Sequence, residues 1–170
     1  CDPAPISRVV GDAAKGGAVL IRCNHDTSFG KEQYVLFHRG THVKRFTFDD
    51  YGAAIGFTSD SGEQYYVSHE GTTTVFETAT GQERWTANSV DHCAGTMGAV
   101  QQSDLNARYL VTDSQEGIHC LLLFDETGRL LVREKYAEAF NPSLDFTGRY
   151  VLRNWLTGAE LLRLDNTCNR

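Results

Sequence analysis

Cys93 is the residue best placed to do chemistry. His92 precedes it, Asp91 precedes that, and His119 and Cys120 form a second His-Cys pair. A thiol nucleophile needs an imidazole within hydrogen-bond reach and a third group to orient that imidazole. Asp91, His92 and Cys93 supply the parts in one tripeptide. Yet adjacent residues on an extended chain point to opposite sides, and no predicted helix begins after Cys93 to lower its pKa. The same geometry argues against a metal, because neither a CxxC pair nor a zinc-like Cys/His spacing occurs. No serine lies in a Gly-x-Ser-x-Gly elbow, and no glycine-rich phosphate loop is found. The sequence therefore predicts no catalytic residue, no metal site and no cofactor.

The cysteines read better as crosslinks. The chain has five. Cys1 stands at its start, followed by Asp2, and reads as the lipid-bearing first residue of a mature lipoprotein. That leaves Cys23, Cys93, Cys120 and Cys168 for two disulfides in an oxidising compartment. Three connectivities are open to four cysteines. The preferred one joins Cys93 to Cys120, tying residues 88–103 to a neighbouring strand, and Cys23 to Cys168, tying the tail to the first unit.

Composition narrows the partners. The 170 residues are 41% apolar and 22% charged, with a net charge of −6. Basic residues are scattered, with no cluster longer than Lys44-Arg45, so the stripe a nucleic acid requires is missing. No apolar run reaches the roughly 20 residues that cross a bilayer. Membrane attachment is expected only through a lipid on Cys1.

The elements that would position any site are strands. Strand-like runs flank a glycine turn at Gly40, Gly81, Gly128 and Gly158, with spacings of 41, 47 and 30 residues. Glycine suits such hairpins because their turns use positive φ, and the flanking runs are rich in β-branched and aromatic residues. A second element, Asp-x-x-Gly or Asp-x-x-Ala before an apolar run, recurs at Asp49, Asp104 and Asp145. Two short helices are predicted, over 7–15 and over 134–140. Residues 88–103 show no clean alternation and read as a long loop.

Together the two repeated elements resemble the blades of β-propellers of the quinoprotein and WD40-like kinds, over roughly residues 30–165. The motifs are degenerate, and Trp85 alone is placed like the quinoprotein tryptophan. The resulting expectation is an all-β chain forming a small or incomplete propeller of three to four antiparallel blades and about twelve strands, the last unit supplying two. Residues 1–16 would be a lipoprotein-like linker, and 17–170 one domain.

On such a scaffold the loops carry recognition. Candidate segments are 24–30, 88–97, 103–106 and 113–117. Small polar residues able to enter a cleft nominate Ser89, Asp91, His92, Thr96, Ser103, Asp104 and Ser114 as partner-binding, with Ser89 first. The starting cysteine, the disulfide-permissive composition and the degenerate β repeats resemble a further group, the periplasmic immunity proteins of type VI secretion systems. Closest are those directed at peptidoglycan amidase effectors, of the Pseudomonas kind. The resemblance implies an inhibitor, not an enzyme, that plugs the cleft of a Cys/His amidase, with a loop serine meeting the toxin's catalytic His. It implies a periplasmic location, and Asp2 resembles an inner-membrane retention signal. The alternative is an envelope lipoprotein scaffold that binds another periplasmic protein through its propeller face.

Overall fold

Residues 120–124 read Cys-Leu-Leu-Leu-Phe, and every one of them is fully buried. A strand with no polar alternation must be covered on both faces, and that requirement explains the layout of the molecule. The computed structural model describes residues 9–24, 32–48, 53–88, 96–103, 108–115, 117–145, 147–155 and 157–164. These form fifteen strands in four antiparallel sheets, each sheet in chain order. Blade 1 holds β1 (Val9–Ala13), β2 (Ala18–Asn24), β3 (Glu32–His38) and β4 (Thr41–Phe48). Blade 2 holds β5 (Ala54–Phe57), β6 (Gln64–His69), β7 (Thr72–Glu77) and β8 (Glu83–Asn88). Blade 3 holds β9 (Thr96–Gln102), β10 (Tyr109–Gln115), β11 (Ile118–Phe124) and β12 (Leu130–Tyr136). Blade 4 has three strands, β13 (Asn141–Leu144), β14 (Tyr150–Trp155) and β15 (Gly158–Arg163). The arrangement is β-propeller-like.

Three apolar clusters join the blades face to face. Leu20, Tyr34, Leu36 and Phe46 of blade 1 meet Tyr65 of blade 2. Tyr66, Val75 and Trp85 of blade 2 meet Val111, Cys120, Leu122 and Phe124 of blade 3. Leu110, Leu121 and Leu123 of blade 3 meet Val151 and Leu164 at blade 4. Thus β11 sends alternate side chains to opposite neighbours, as the two-residue period of a strand requires. Among the described residues no such cluster joins blades 1 and 4.

Polar ties reinforce the seams at one end. The Lys15 and Gly16 amides donate to the Asp60 and Ser61 carbonyls, at 2.8 and 3.0 Å. The Thr58 hydroxyl donates to Gln102 Oε1 at 2.8 Å. Gln101 donates to the Pro142 carbonyl and accepts from the Leu144 amide, at 3.2 and 3.0 Å. At Gly148, with φ +67°, a Cβ would lie 2.6 Å from Ser103 Oγ, so only glycine lets blade 4 sit this close to blade 3. These contacts put the turns after β1, β5, β9 and β13 side by side. The turns after β3, β7 and β11 lie at the same end, which we call the turn face. The opposite end, where β8 stops and β9 starts, carries the links between blades and is called the crossover face.

Several sequence expectations are corrected here. Residues 7–15 are not helical from Val9 onward, because Val9–Ala13 is the edge strand β1, paired with β2. The 1–16 linker therefore gives way to the blade at Val9. Residues 134–140 are not a helix either, since β12 runs to Tyr136 beside β11. Strand pairing outweighed helical propensity at both places. The loop expected over 88–103 contains β9, the first strand of blade 3 and its contact with blades 2 and 4. Gly158 belongs to the β14–β15 hairpin, whereas Gly40, Gly81 and Gly128 precede the fourth strand of their blades. The spacing of 30 thus compared unlike turns, and the last unit has three strands, not two. Asp104 and Asp145 precede second strands, β10 and β14, while Asp49 precedes a first strand, β5. The blade 2 equivalent of those two turns is the segment around Asp60, between β5 and β6.

Candidate protein-interaction surface

At the crossover end of blade 3 the backbone register aligns Thr96, Ser114, His119 and Tyr136 across all four strands. Thr96 is the Cα partner of Ser114, Ser114 of His119, and His119 of Tyr136. Two residues predicted from sequence, Thr96 and Ser114, therefore sit at one end of a row whose other end is aromatic. The Tyr136 and Phe140 rings meet edge to face at 4.9 Å, and His119 approaches Phe140 at 6.4 Å.

Blade 4 supplies the opposite wall. The Arg153 guanidinium lies 3.7 Å from the Tyr136 ring centroid, 4.7 Å from Trp155 and 5.8 Å from Phe140. Its side chain is 13% exposed and pairs with Glu160, its cross-strand neighbour. The Tyr136 hydroxyl donates to Glu134. Burial, then the hydrogen bond and charge of Glu134, push its pKa above the usual phenol value. A cavity of about 170 Å³ opens here, lined by Tyr136, Ala137, Glu138, Phe140, Arg153 and Trp155. Tyr, Trp and Arg in a partly desolvated recess are the types that dominate protein–protein binding energy. Cation–π contacts hold the Arg153 plane between rings, so it is ordered before a partner arrives.

The sequence reasoning missed this recess because Tyr136 and Trp155 are 19 positions apart and meet only across a blade seam. One available signal was Trp155 itself, the second of two tryptophans, placed just before the Thr157-Gly158 turn and beside the polar pair Arg153-Asn154.

The turn face is different in character. A cleft of about 560 Å³ lies between blades 1 and 2, walled by Lys15, Arg39, Asp60 and Glu63 among others, and one of about 350 Å³ beside it extends to Val100 and Gln101 of blade 3. Lys15 and Asp60 pair at 3.3 Å, both well exposed. Screened pairs of this kind contribute little.

The nominated contact residues are not brought together as a set. Thr96 and Ser114 are at the crossover end. Ser103 follows β9 at the turn face and is 2% exposed. Its hydroxyl accepts from the Arg108 amide at 3.1 Å and faces Gly148 of blade 4. Ser103 is accordingly a seam residue and is withdrawn as a partner contact: its hydroxyl satisfies its own turn. Ser89, Asp91, His92, Asp104, Cys1, Cys93 and Cys168 lie outside the described residues. Cys120 is disulfide-bonded and fully buried in the seam between blades 2 and 3. Cys23 is in β2, opposite Val9 and Gln33. Among the described residues no three His, Cys, Asp or Glu side chains are grouped to hold a metal.

No protein-family model matches the chain, and no curated protein matches it. Solved structures do. Prolyl oligopeptidase B from Galerina marginata aligns at TM-score 0.58 and 11% identity over 91% of this chain and 24% of its own. The Dos1 propeller aligns at TM-score 0.56 and 10% identity over 85% of this chain and 38% of its own. The dihydro-heme d1 dehydrogenase NirN aligns at 0.53 and 17% identity, covering 92% of this chain and 34% of its own. The chain thus spans between a quarter and two fifths of the length of these structures. At such identities the likeness is one of fold, and it establishes the four sheets as β-propeller-like blades.

Proposed function

We propose that this chain is a binding protein, not an enzyme, and that its crossover face occludes the active site of a secreted peptidoglycan amidase in the periplasm. The observation that carries the binding role is the recess at Arg153, where a guanidinium stacked on Tyr136 and Trp155 forms a preordered anchor beside the β9 and β10 strand ends. A rigid β scaffold loses little conformational freedom on docking, so the contact energy appears as affinity. The resemblance to immunity proteins supports the choice of partner and of compartment, and the disulfide at Cys120 is compatible with an oxidising environment. A lipid on Cys1 would hold the inhibitor at the membrane.

The test begins by asking whether a small secreted Cys/His hydrolase is encoded beside this chain, and uses that enzyme. Muropeptide release by that enzyme is measured with increasing amounts of purified chain. Stoichiometric inhibition is expected, with Trp155→Ala weakening it about thirtyfold, the effect of a hot-spot truncation of about 2 kcal/mol. The absence of such a neighbour, or full hydrolase activity at large excess of the chain, defeats the reading. Inhibition that survives Trp155→Ala and Arg153→Ala unchanged moves the contact away from this recess.

A further inference from the structure

Charges around the Arg153 recess do not balance. Three rings line the cavity, Tyr136, Phe140 and Trp155, and the face of an aromatic ring carries the negative side of its quadrupole. Arg153 shows how a cation meets them, its guanidinium lying 3.7 Å from the Tyr136 centroid and 4.7 Å from that of Trp155. Three carboxylates surround this one guanidinium. Glu160 pairs with Arg153, Glu134 accepts from the Tyr136 hydroxyl, and Glu138 stands exposed on the lining. Among the described residues Glu138 has neither an ion pair nor a hydrogen bond.

The other basic residues of these two blades are turned elsewhere. Cross-strand partners share a face of a sheet. Glu134 is the partner of Leu121, which packs towards blade 4, whereas Arg133 and Lys135 are partners of Leu122 and Cys120, which pack towards blade 2. Arg149 and Arg163 sit at the turn end of blade 4, on either side of Tyr150. His119, 6.4 Å from Phe140, is the remaining imidazole near the recess among the described residues.

We infer that the recess takes a basic side chain of the protein partner, an arginine or a lysine, laid on the Trp155 and Phe140 rings with its charge at Glu138. The inference rests on the reading of this recess as a protein contact and names what enters it. A carboxylate would meet an excess of its own sign. A neutral apolar side chain would gain the ring contact but strip water from Glu138 without replacing it, which costs free energy. A cation gains both the rings and the carboxylate. The cavity, about 170 Å³, is well below the roughly 300–1,000 Å³ of small-molecule sites and admits a single side chain. The net charge of −6 extends the same preference beyond the recess and draws a basic partner from a distance.

The chain alone serves for the test. Its two tryptophans give two indole N–H signals in nuclear magnetic resonance of a labelled sample. Trp155 reports on the recess, and Trp85, 4% exposed between blades 2 and 3, is the internal standard. The probes are the N-acetyl amides of arginine, lysine, norleucine and glutamate. One side chain makes few contacts, so dissociation constants of about 1–10 mM are expected for the two basic probes. They should move the Trp155 signal to saturation and leave Trp85 in place, and salt at about 0.5 M should weaken them by screening. Glu138→Lys should weaken the arginine probe by roughly tenfold, because an attraction becomes a repulsion, with the Trp85 signal unmoved as the sign of an intact fold. Norleucine or glutamate binding as well as arginine overturns the inference. So does a Trp155 signal that no probe moves at about 50 mM, or an arginine affinity indifferent to Glu138→Lys. No hydrolase enters this experiment, so its failure is separate from that of the amidase reading. Cation binding with an uninhibited hydrolase upholds the inference and defeats the amidase as partner. A preference for norleucine with the hydrolase still inhibited does the reverse.

Discussion

Gly128 offers a quantitative test of how the blades are held together. It closes the turn between β11 and β12 with φ +81°, its amide donating to the Asp125 carbonyl at 3.0 Å. A Cβ added there would lie 2.7 Å from Trp85 Cβ and 3.0 Å from Trp85 Cγ. Trp85 is 4% exposed and stacked on Phe124 at 5.3 Å, so it has no room to retreat. Gly128→Ala then carries two costs. Left-handed backbone for a residue with a Cβ costs about 1–2 kcal/mol. Overpacking a filled seam costs about 1–3 kcal/mol. The sum is about 2–5 kcal/mol. Gly81, in the corresponding turn of blade 2, has φ +69° and nothing within 4 Å of its would-be Cβ. Gly81→Ala should carry only the backbone cost, about 1–2 kcal/mol. Urea unfolding of the oxidised proteins reads the difference as a shift in midpoint at constant slope. In thermal terms, a chain of this size loses about 2–4 °C per kcal/mol. Near-ultraviolet circular dichroism should change for Gly128→Ala and not for Gly81→Ala, because only the first displaces Trp85. Equal losses in the two variants would mean that the turn of blade 3 does not press on blade 2, and the seam described here would be wrong.

Two further predictions concern pH. Asp125-Glu126-Thr127-Gly128-Arg129 and Asp145-Phe146-Thr147-Gly148-Arg149 build the same turn, each carboxylate accepting from a Thr hydroxyl and from backbone amides. Partial burial alone would raise these carboxyls, but the hydrogen bonds outweigh it and hold both below the ordinary Asp value. Their stabilisation is complete above the unfolded pKa of about 3.9 and disappears as pH falls through the lower folded value. Asp145→Asn should thus lose less stability than the parent between neutrality and about pH 3, and an unchanged pH slope of the urea midpoint would contradict this. At the alkaline end, burial pushes Tyr34 and Tyr65 up to about 12, with Glu32 adding to the shift at Tyr34. Stability from these groups is complete below the unfolded value of about 10 and is lost as pH rises through about 12. Tyrosinate absorbance should therefore show slow ionisation coupled to unfolding, and seven tyrosines titrating together near pH 10 with the fold intact would refute it.

The fold class was legible in the sequence because strands and hairpin turns are local. The glycines at 40, 81 and 128 occupy positive φ, a demand made by the turn itself and met by residue type. The run 120–124 announced a strand covered on both faces. Local reading failed where pairing partners lay far away. Residues 7–15 and 134–140 read as short helices, yet Val9–Ala13 and the end of β12 at Tyr136 are strand because a neighbouring strand supplies their hydrogen bonds. Residues 96–102 read as loop, whereas β9 is held as a strand by β10 beside it and by contacts with blades 2 and 4 that no local pattern displays.

What the sequence determined alone is the supply of β hairpins, their glycine pivots and the cysteines available for crosslinking. What the tertiary structure decided is which surfaces those hairpins share. Ser103 reads as an exposed loop serine until Gly148, 45 positions later, closes over it. Tyr136, Arg153 and Trp155 read as unrelated strand residues until blades 3 and 4 pack and stack them. The physical reason is that backbone conformation depends on neighbours in sequence, whereas burial and side-chain encounter depend on neighbours in space.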